Sequence, residues 1–229
     1  KGDCIIHNCP DLSDVDVSIE ILEYLGASVK REQNTLIVNT DNVSKYDIPD
    51  MLMREMRSSI IFLGAVISRF KKARLSFPGG CELGPRPIDL HLKALKSMNI
   101  SIKEDHGFLD CLVEKDITGA EINLSFPSVG ATENIILAAA CANGKTVINN
   151  AAREPEICDL ANFLNKCGAN IHGAGEGIII IYGKPSLQNC EHSIIPDRIV
   201  ATTFMASIIA TRGKGVIKNI NTEHLKSII

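Results

Sequence analysis

One thiol lies within a segment whose composition is typical of a loop. Cys81 is accompanied by three glycines and three prolines within ten residues, at positions 78, 79, 80, 84, 85 and 87. A segment so rich in both residues is neither strand nor helix. On such a loop a cysteine could act as an acid or a nucleophile, with Arg86 favouring its thiolate and Glu82 opposing it. A surface loop with an incidental thiol is the plainer interpretation of the same pattern.

The residues after this loop predict a helix whose start could bind an anion. The apolar spacing from Ile88 onward is helical, and Pro87 suits the first helical position because no N–H is needed there. Asp89 in the first turn favours the helix dipole. Arg86 would therefore lie at a helix N-terminus, beside backbone N–H groups that have no partner within the helix. Such a place is favourable for an anionic ligand.

The order of residues in this segment is more specific than a generic loop. Residues 78–91 read Pro-Gly-Gly-Cys-x-x-Gly-x-Arg-Pro-x-Asp-x-His, which closely resembles the active-site loop of the UDP-N-acetylglucosamine enolpyruvyl transferases. The resemblance continues in the same order through residues 126–134, 150–157 and 195–199. Four separated matches across nearly the whole chain identify it, by resemblance, as a member of this family.

The resemblance implies a reaction and its partners. Members of this family transfer the enolpyruvyl group of phosphoenolpyruvate to the 3′-hydroxyl of UDP-N-acetylglucosamine (UDP-GlcNAc), which opens peptidoglycan synthesis. Both substrates are small molecules, the inhibitor is fosfomycin, and neither a metal nor an organic cofactor is implied. Cys81 would donate a proton and form a covalent adduct with phosphoenolpyruvate.

Two other functions stay open. One is enolpyruvyl transfer to shikimate 3-phosphate, although that relative does not use a cysteine such as Cys81. The other is a catalytically silent paralogue that binds a nucleotide sugar and regulates a partner.

The resemblance also assigns the residues that bind UDP-GlcNAc. They lie on one predicted buried helix, at the helix start after the loop, and at the start of a second buried helix: Arg57, Arg86, Pro87, Ile88, Asp89, Leu90, Phe126, Pro127, Ser128, Val129 and Gly130. Ordinary N-capping explains Ser128 equally well. Phe126 stands where many relatives carry lysine, a change that removes one expected contact to a phosphate and is the hint for the silent paralogue.

A further group of residues is placed in or near the cleft by the same resemblance. It comprises His91, Glu154, Glu156, Asp197 and Arg198. From the residues alone, Glu154 and Glu156 are carboxylates at a helix start, where the dipole favours them.

Composition excludes several classes of function. The chain of 229 residues carries a net charge of −3 with no basic stripe, so we expect no nucleic-acid partner. Its longest apolar runs are too short to cross a membrane. Eight cysteines occur without a Cys-x-x-Cys pair or zinc-finger spacing, so we expect no metal site. We interpret most of them as core residues of a reduced, cytoplasmic protein.

The chain also shows an internal repeat, which predicts its fold. Strand-like segments begin at residues 4, 75, 146 and 215, at a spacing of about 70 residues. Amphipathic helices follow the first three, over residues 14–25, 87–98 and 155–167, with Gly26, Asn99 or Gly168 as left-handed caps. Helices apolar nearly all round close the units, over residues 49–70, 130–142 and 198–211. We predict an α/β fold in which three units surround a bundle of three buried helices. The resemblance implies the same architecture, an inside-out α/β barrel.

The repeat also divides the chain. We expect residues 1–196 to form one domain of three units. Residues 197–229 would begin a second, similar domain, because a fourth unit opens at Gly215 and stops within its first helix. The chain would then be the larger part of a longer protein. By resemblance, a Lys-Asn pair for phosphoenolpyruvate precedes Lys1, and an aspartate base and another arginine follow in the second domain.

Overall fold

The computed structural model describes residues 2–79 and 87–229, which form three four-stranded sheets and their helices. The strands are β1 (Asp3–His7), β2 (Ser28–Glu32), β3 (Thr35–Asn39), β4 (Asp47–Ile48), β5 (Lys72–Ser76), β6 (Ser101–Asp105), β7 (Phe108–Leu112), β8 (Glu121–Asn123), β9 (Lys145–Asn149), β10 (Ile171–His172), β11 (Ile178–Tyr182) and β12 (Glu191–Ser193). The α-helices are α1 (Ser13–Leu25), α2 (Asp50–Glu55), α3 (Phe62–Phe70), α4 (Asp89–Ser97), α5 (Val129–Ala139), α6 (Pro155–Lys166) and α7 (Arg198–Ala210). Among the described residues, no helix is both long and apolar enough to cross a membrane.

The three sheets share one strand arrangement. Their orders are β12-β1-β3-β2, β4-β5-β7-β6 and β8-β9-β11-β10. In each sheet the first two strands are parallel and the remaining neighbours are antiparallel. In two sheets the parallel edge strand, β4 or β8, precedes the other three strands of its sheet in the sequence. In the remaining sheet the parallel edge strand is β12, which follows the strands of the β8-β9-β11-β10 sheet in the sequence. Each sheet thus takes its parallel edge strand from the segment that follows another sheet, and the three sheets form a closed cycle, which we call the strand cycle.

The predicted C-terminal ends of the amphipathic helices agree with the structure, whereas α4 begins at Asp89, two residues after the predicted first helical residue Pro87. The amphipathic helices α1, α4 and α6 run into Gly26, Asn99 and Gly168, which have φ of 107°, 67° and 95°. This left-handed backbone is the conformation for which glycine and asparagine are favoured. The fourth predicted strand, at residues 215–219, does not form; the chain there is irregular and leads into a 3₁₀ turn at Thr222–Leu225.

The prediction of one continuous helix over residues 49–70 is wrong. Helix α2 ends before Met56, whose φ of −140° and ψ of 148° are extended, and a 3₁₀ turn at Arg57–Ile61 then leads into α3. The hydroxyl of Ser59 donates a hydrogen bond to the carbonyl of Met53 at 2.7 Å. A serine side chain offers the backbone such an alternative to helix, which accounts for the break. Arg57 therefore begins the 3₁₀ turn.

The prediction that the helix at residues 198–211 is buried is also wrong. In α7 only Ala201 is buried, whereas Phe204 is 58% and Ile209 is 75% exposed. Its chief contacts within the described residues are with the 3₁₀ turn at Thr222–Leu225. Apolar composition predicted burial, but a buried helix needs elements on every side, and the three sheets do not surround α7.

Helices α3 and α5 form the centre of the core and approach each other closely. Gly64 of α3 faces Asn134 of α5, and a Cβ on Gly64 would lie 2.4 Å from the carbonyl oxygen of Asn134. The side-chain Oδ1 of Asn134 accepts a hydrogen bond from the N–H of Gly64 at 2.5 Å. Its Nδ2 donates to the carbonyl of Ile60 at 2.9 Å. This buried amide therefore fixes where the two helices cross.

The close approach predicts a specific loss of stability. In Gly64→Ala the added methyl group must push α3 away from α5, so we expect the free energy of unfolding to fall by about 1–3 kcal/mol. Denaturant titration measures this change. The matched control is Ser68→Ala on the exposed side of the same helix, which should change stability by less than about 0.5 kcal/mol. Equal stability of Gly64→Ala and the parent protein would contradict the packing described.

Candidate functional site

A cavity of about 650 Å³ lies at the N-terminal end of α5, beside the 3₁₀ turn at Arg57–Ile61. Its wall is drawn from four separate parts of the chain: Asp14, Glu55, Met56, Arg57, Ser58, Ile60, Ile61, Pro87, His91, Phe126, Ser128, Gly130 and Glu133. The start of a helix favours negative charge. The position of the cavity therefore suits an anionic ligand.

The start of α5 is capped by a side chain. Ser128 is the N-cap, and its hydroxyl oxygen accepts a hydrogen bond from the N–H of Ala131 at 3.3 Å. This is the plainer of the two sequence interpretations of Ser128. Gly130 follows in the first turn, where a Cβ would lie 3.2 Å from Cε1 of His91. The absence of a side chain at Gly130 thus lets the imidazole lie against the helix start.

The hydrogen bonds of His91 determine which of its nitrogens carries a proton. Because Oδ1 of Asn134 accepts from Gly64, the NH₂ group faces His91 and lies 3.0 Å from its Nδ1. Nδ1 must then be the acceptor, and in the neutral ring the proton resides on Nε2. Burial, followed by the charge of Arg57, lowers the pKa of His91 from 6.5 to about 4. At neutral pH the cavity wall therefore holds an uncharged imidazole with an N–H to donate.

Glu133 is a cavity residue that sequence reasoning missed. It follows Ala131-Thr132 in the first turns of α5, within the segment 126–134 that carries the resemblance, but no role was assigned to it from the sequence. Burial, followed by the charges of Glu156 and Glu154, raises the pKa of Glu133 to about 7. Near neutral pH this carboxyl group is therefore partly protonated.

The predicted acidic and basic residues at the starts of α6 and α7 form a separate ionic group. Arg198 donates two hydrogen bonds to the carboxylate of Glu156, at 2.9 Å and 3.3 Å. Asp197 caps α7, since its Oδ1 accepts from the N–H groups of Ile199 and Val200. Glu154 precedes α6 and has one buried oxygen without a partner among the described residues. None of these residues lines the cavity. Glu154 and Glu156 affect it through their charges, which raise the pKa of Glu133.

The structure thus brings together part of the predicted site. Six predicted residues line the cavity, namely Arg57, Pro87, His91, Phe126, Ser128 and Gly130. Ile88 and Leu90 are buried in the hydrophobic core, Val129 packs partly against it, and Asp89 and Pro127 are exposed. Cys81 and Arg86 lie outside the described residues.

A second cavity, of about 690 Å³, lies near the C-terminal ends of α3 and α5. Phe70, Leu137 and Ala140 contribute to its wall, together with residues 185–189. None of the predicted site residues lines it, and helix C-termini disfavour anions. Among the described residues, no cluster of three or more His, Cys, Asp or Glu side chains is arranged to hold a metal ion.

Comparison with known proteins gives one family across the whole chain. A model of the EPSP synthase (3-phosphoshikimate 1-carboxyvinyltransferase) family matches residues 1–229. The UDP-N-acetylglucosamine 1-carboxyvinyltransferase 2 of Caldanaerobacter subterraneus subsp. tengcongensis is 52% identical over 229 residues, which are 100% of this chain and 55% of that protein. The UDP-N-acetylglucosamine 1-carboxyvinyltransferase of Thermotoga maritima is 47% identical over 222 residues, covering 96% of this chain and 53% of that protein. The chain spans about half the length of the curated relatives it matches.

Solved structures share the fold at lower sequence identity. The enolpyruvyl transferase NikO from Streptomyces tendae superposes with a TM-score of 0.78 at 24% identity, covering 90% of this chain and 49% of that one. An EPSP synthase from Acinetobacter baumannii superposes with a TM-score of 0.72 at 17% identity, covering 96% and 51%.

The lowered pKa of His91 predicts a pH-dependent stability. The unfolded chain takes up the proton near pH 6.5 but the folded chain only near pH 4, so the contribution of His91 is complete above pH 6.5 and is lost as pH falls between these values. We expect the parent protein to lose about 2 kcal/mol more between pH 7 and pH 5 than His91→Gln, which cannot titrate. Denaturant titration at the two pH values measures the difference.

Comparison of the two proteins also removes the effect of Glu133. Its raised pKa acts in the opposite direction, because that contribution is complete below pH 4.5 and is lost as pH rises through about 7. Both proteins retain Glu133, so its effect cancels in the difference. The same pH dependence in both would show that the histidine is not held neutral.

Proposed function

This chain belongs to the EPSP synthase (3-phosphoshikimate 1-carboxyvinyltransferase) family, and from that premise we propose that it is the nucleotide-binding part of a UDP-GlcNAc enolpyruvyl transferase. The enzyme would transfer the enolpyruvyl group of phosphoenolpyruvate to the 3′-hydroxyl of UDP-GlcNAc, for peptidoglycan synthesis. The observation that carries the proposal is the cavity that unites Arg57, His91 and the start of α5.

The choice of acceptor is supported by the relatives and by Cys81. The matching family model is named for 3-phosphoshikimate 1-carboxyvinyltransferase. The curated relatives at 52% and 47% identity, in contrast, are named for UDP-GlcNAc. The EPSP synthase of known structure is only 17% identical. The loop motif around Cys81 resembles the UDP-GlcNAc enzymes and not the shikimate enzyme. We therefore favour the nucleotide sugar.

The described residues support the proposal that the cavity binds a diphosphate. Arg57 is half-buried in the cavity wall, and a guanidinium suits phosphate oxygens because it presents several donors in one plane. The Nε2–H of His91 and the backbone N–H groups at the start of α5 would complete the set of donors. A neutral histidine here donates a hydrogen bond without adding a second positive charge beside Arg57. From sequence alone, Arg86 and residues 87–90 would border the uridine.

The chemistry proposed for Cys81 is proton transfer. The 3′-hydroxyl oxygen of the sugar bonds to C2 of phosphoenolpyruvate and loses its proton to the aspartate base that the resemblance places in the second domain, while C3 takes a proton from the thiol, giving a tetrahedral intermediate. The thiolate then takes a proton from C3 as inorganic phosphate leaves C2 with the proton held by the aspartate, which restores the double bond. Positioned acid–base catalysis of this kind contributes about 10²–10⁴-fold to a rate. The proposed reaction uses no metal or organic cofactor.

The finer architecture belongs to the same proposal. The strand cycle supports three repeated units arranged as an inside-out α/β barrel within residues 1–196. The exposed apolar side chains of α7 support the start of a second domain within residues 197–229. In a bacterial cell such an enzyme would work in the cytoplasm.

The proposed reaction predicts which acceptor supports turnover. With the complete gene product and phosphoenolpyruvate, we expect release of inorganic phosphate in the presence of UDP-GlcNAc and none in the presence of shikimate 3-phosphate. Cys81→Asp should retain turnover, because it keeps an acid, but should resist fosfomycin, because it lacks the nucleophile.

Each alternative function has its own outcome in this assay. Turnover with shikimate 3-phosphate would identify the other transferase. Binding of UDP-GlcNAc without any phosphate release would identify a silent paralogue. Either result would refute the proposed activity.

Phe126 predicts that nucleotide binding can be strengthened. It lines the cavity and is 57% exposed, in a position where a cation could reach a phosphate. We expect Phe126→Lys to lower the Kd for UDP-GlcNAc by about 2- to 5-fold at low ionic strength, and less at high salt. Calorimetric titration gives the Kd.

The matched control for this change is Phe126→Leu, which removes the ring without adding charge. If the lysine and leucine variants bind UDP-GlcNAc equally tightly at low salt, residue 126 does not face the diphosphate. The fold and the cavity would stand, but the proposed orientation of the nucleotide would not.

A further inference from the structure

Three cysteines converge where the end of α6 meets the parallel pair of strands β1 and β12, and none of them lines the candidate site. Cys167 follows the last residue of α6, and Cys190 precedes β12. Their sulfur atoms are 3.3 Å apart. Cys4 of β1 belongs to the same group, because it influences the pKa of Cys167 and its neighbour Ile5 donates a backbone hydrogen bond to the carbonyl of Cys190 at 3.0 Å.

The backbone already holds the two closest thiols together. The N–H of Gln188 donates to the carbonyl of Cys167 at 2.8 Å, and Nζ of Lys166 donates to the carbonyl of Glu191 at 3.2 Å. The segment before β12 is thus bound to the end of α6 on both sides of Cys190. Closing the sulfur–sulfur distance to that of a disulfide requires a movement of only about 1.3 Å.

The two thiols differ in their environment. Cys167 is buried, at 4% exposure, whereas Cys190 is partly exposed. Burial, and then the hydrogen bond with Cys190, raises the pKa of Cys167 to about 12, so it is a thiol at neutral pH. An oxidant in solution would therefore meet Cys190 first.

We propose that Cys167 and Cys190 form a reversible disulfide when the protein meets a peroxide, and that this bond fastens β12 to α6. In the first step the sulfur of Cys190 takes one oxygen from hydrogen peroxide, giving a sulfenic acid and water. In the second step the sulfur of Cys167 displaces that hydroxyl group, and its proton leaves with it as a second water. A dithiol reductant reverses the bond by exchange.

The disulfide would stabilise the pairing of β12 with β1, which closes the strand cycle. Strand β12 is the edge strand that connects the last sheet segment to β1. Strand β12 is otherwise held to α6 by the hydrogen bond from Nζ of Lys166 to the carbonyl of Glu191, and by the contacts of His192 with Asp159, at 3.0 Å, and with the ring of Phe163. A covalent link between residues 167 and 190 restricts the opened state, so it should slow the local separation of β12 from β1.

The test is a disulfide map of the complete gene product after treatment with hydrogen peroxide. Free thiols are alkylated, the protein is digested without reduction, and all eight cysteines are assigned. We expect one linked peptide pair joining Cys167 to Cys190, lighter than the free pair by two hydrogen atoms and absent after reduction. Free thiols at both positions, or a link from Cys167 to Cys4, would overturn the proposal.

Hydrogen exchange provides the readout of the structural effect. After oxidation we expect the amide of Ile5, which bonds to Cys190, to exchange at least about tenfold more slowly. Cys190→Ser should abolish this change, whereas the control Cys158→Ser, on the same helix α6, should retain it. Slowed exchange in Cys190→Ser would also refute the assignment. The map of the parent protein does not depend on whether either variant folds.

Discussion

The amide of Asn134 is the contact on which both the core and the cavity depend. A buried amide must satisfy its donors and its acceptor, since an unpaired one costs about 1–3 kcal/mol. Asn134 does so with groups from three elements: the N–H of Gly64 on α3, the carbonyl of Ile60 in the 3₁₀ turn, and Nδ1 of His91 on α4. The first two bonds set the crossing of α3 and α5. Because they also fix which way the amide points, they determine the tautomer of His91.

In the cavity wall, the pKa values of His91 and Glu133 are both shifted in the direction that favours the uncharged side chain. Burial is the first cause for both His91 and Glu133. The effect is that neither His91 nor Glu133 adds a full charge to the wall, where Arg57 and the start of α5 supply positive potential and Asp14 and Glu55 are acidic lining residues. Neutral His91 and partly protonated Glu133 also lower the cost of burying these two groups in the protein without a ligand.

Sequence patterns predicted those features that depend on local backbone chemistry. Gly26, Asn99 and Gly168 mark the helix ends because only their types tolerate a left-handed backbone at little cost. Patterns did less well where the outcome depends on contacts between distant segments. The break at Met56 depends on one hydroxyl of Ser59 reaching back to Met53, and the exposure of α7 depends on which elements surround it. In the candidate site, Ser128 lies in a segment that resembles the family and Arg57 was assigned by that resemblance, whereas the role of Glu133 became apparent only from its burial.

The strand cycle has a consequence for synthesis on the ribosome. Strand β1 emerges before the other described strands, whereas its parallel partner β12 is the last of them. Until residue 193 has left the exit tunnel, β1 can pair only with β3, and its other edge stays open. An open strand edge is a template for pairing with another nascent chain. Crowded polysomes would therefore favour exchange of β12 between neighbouring chains until the chain's own β12 has emerged and covered the edge of β1.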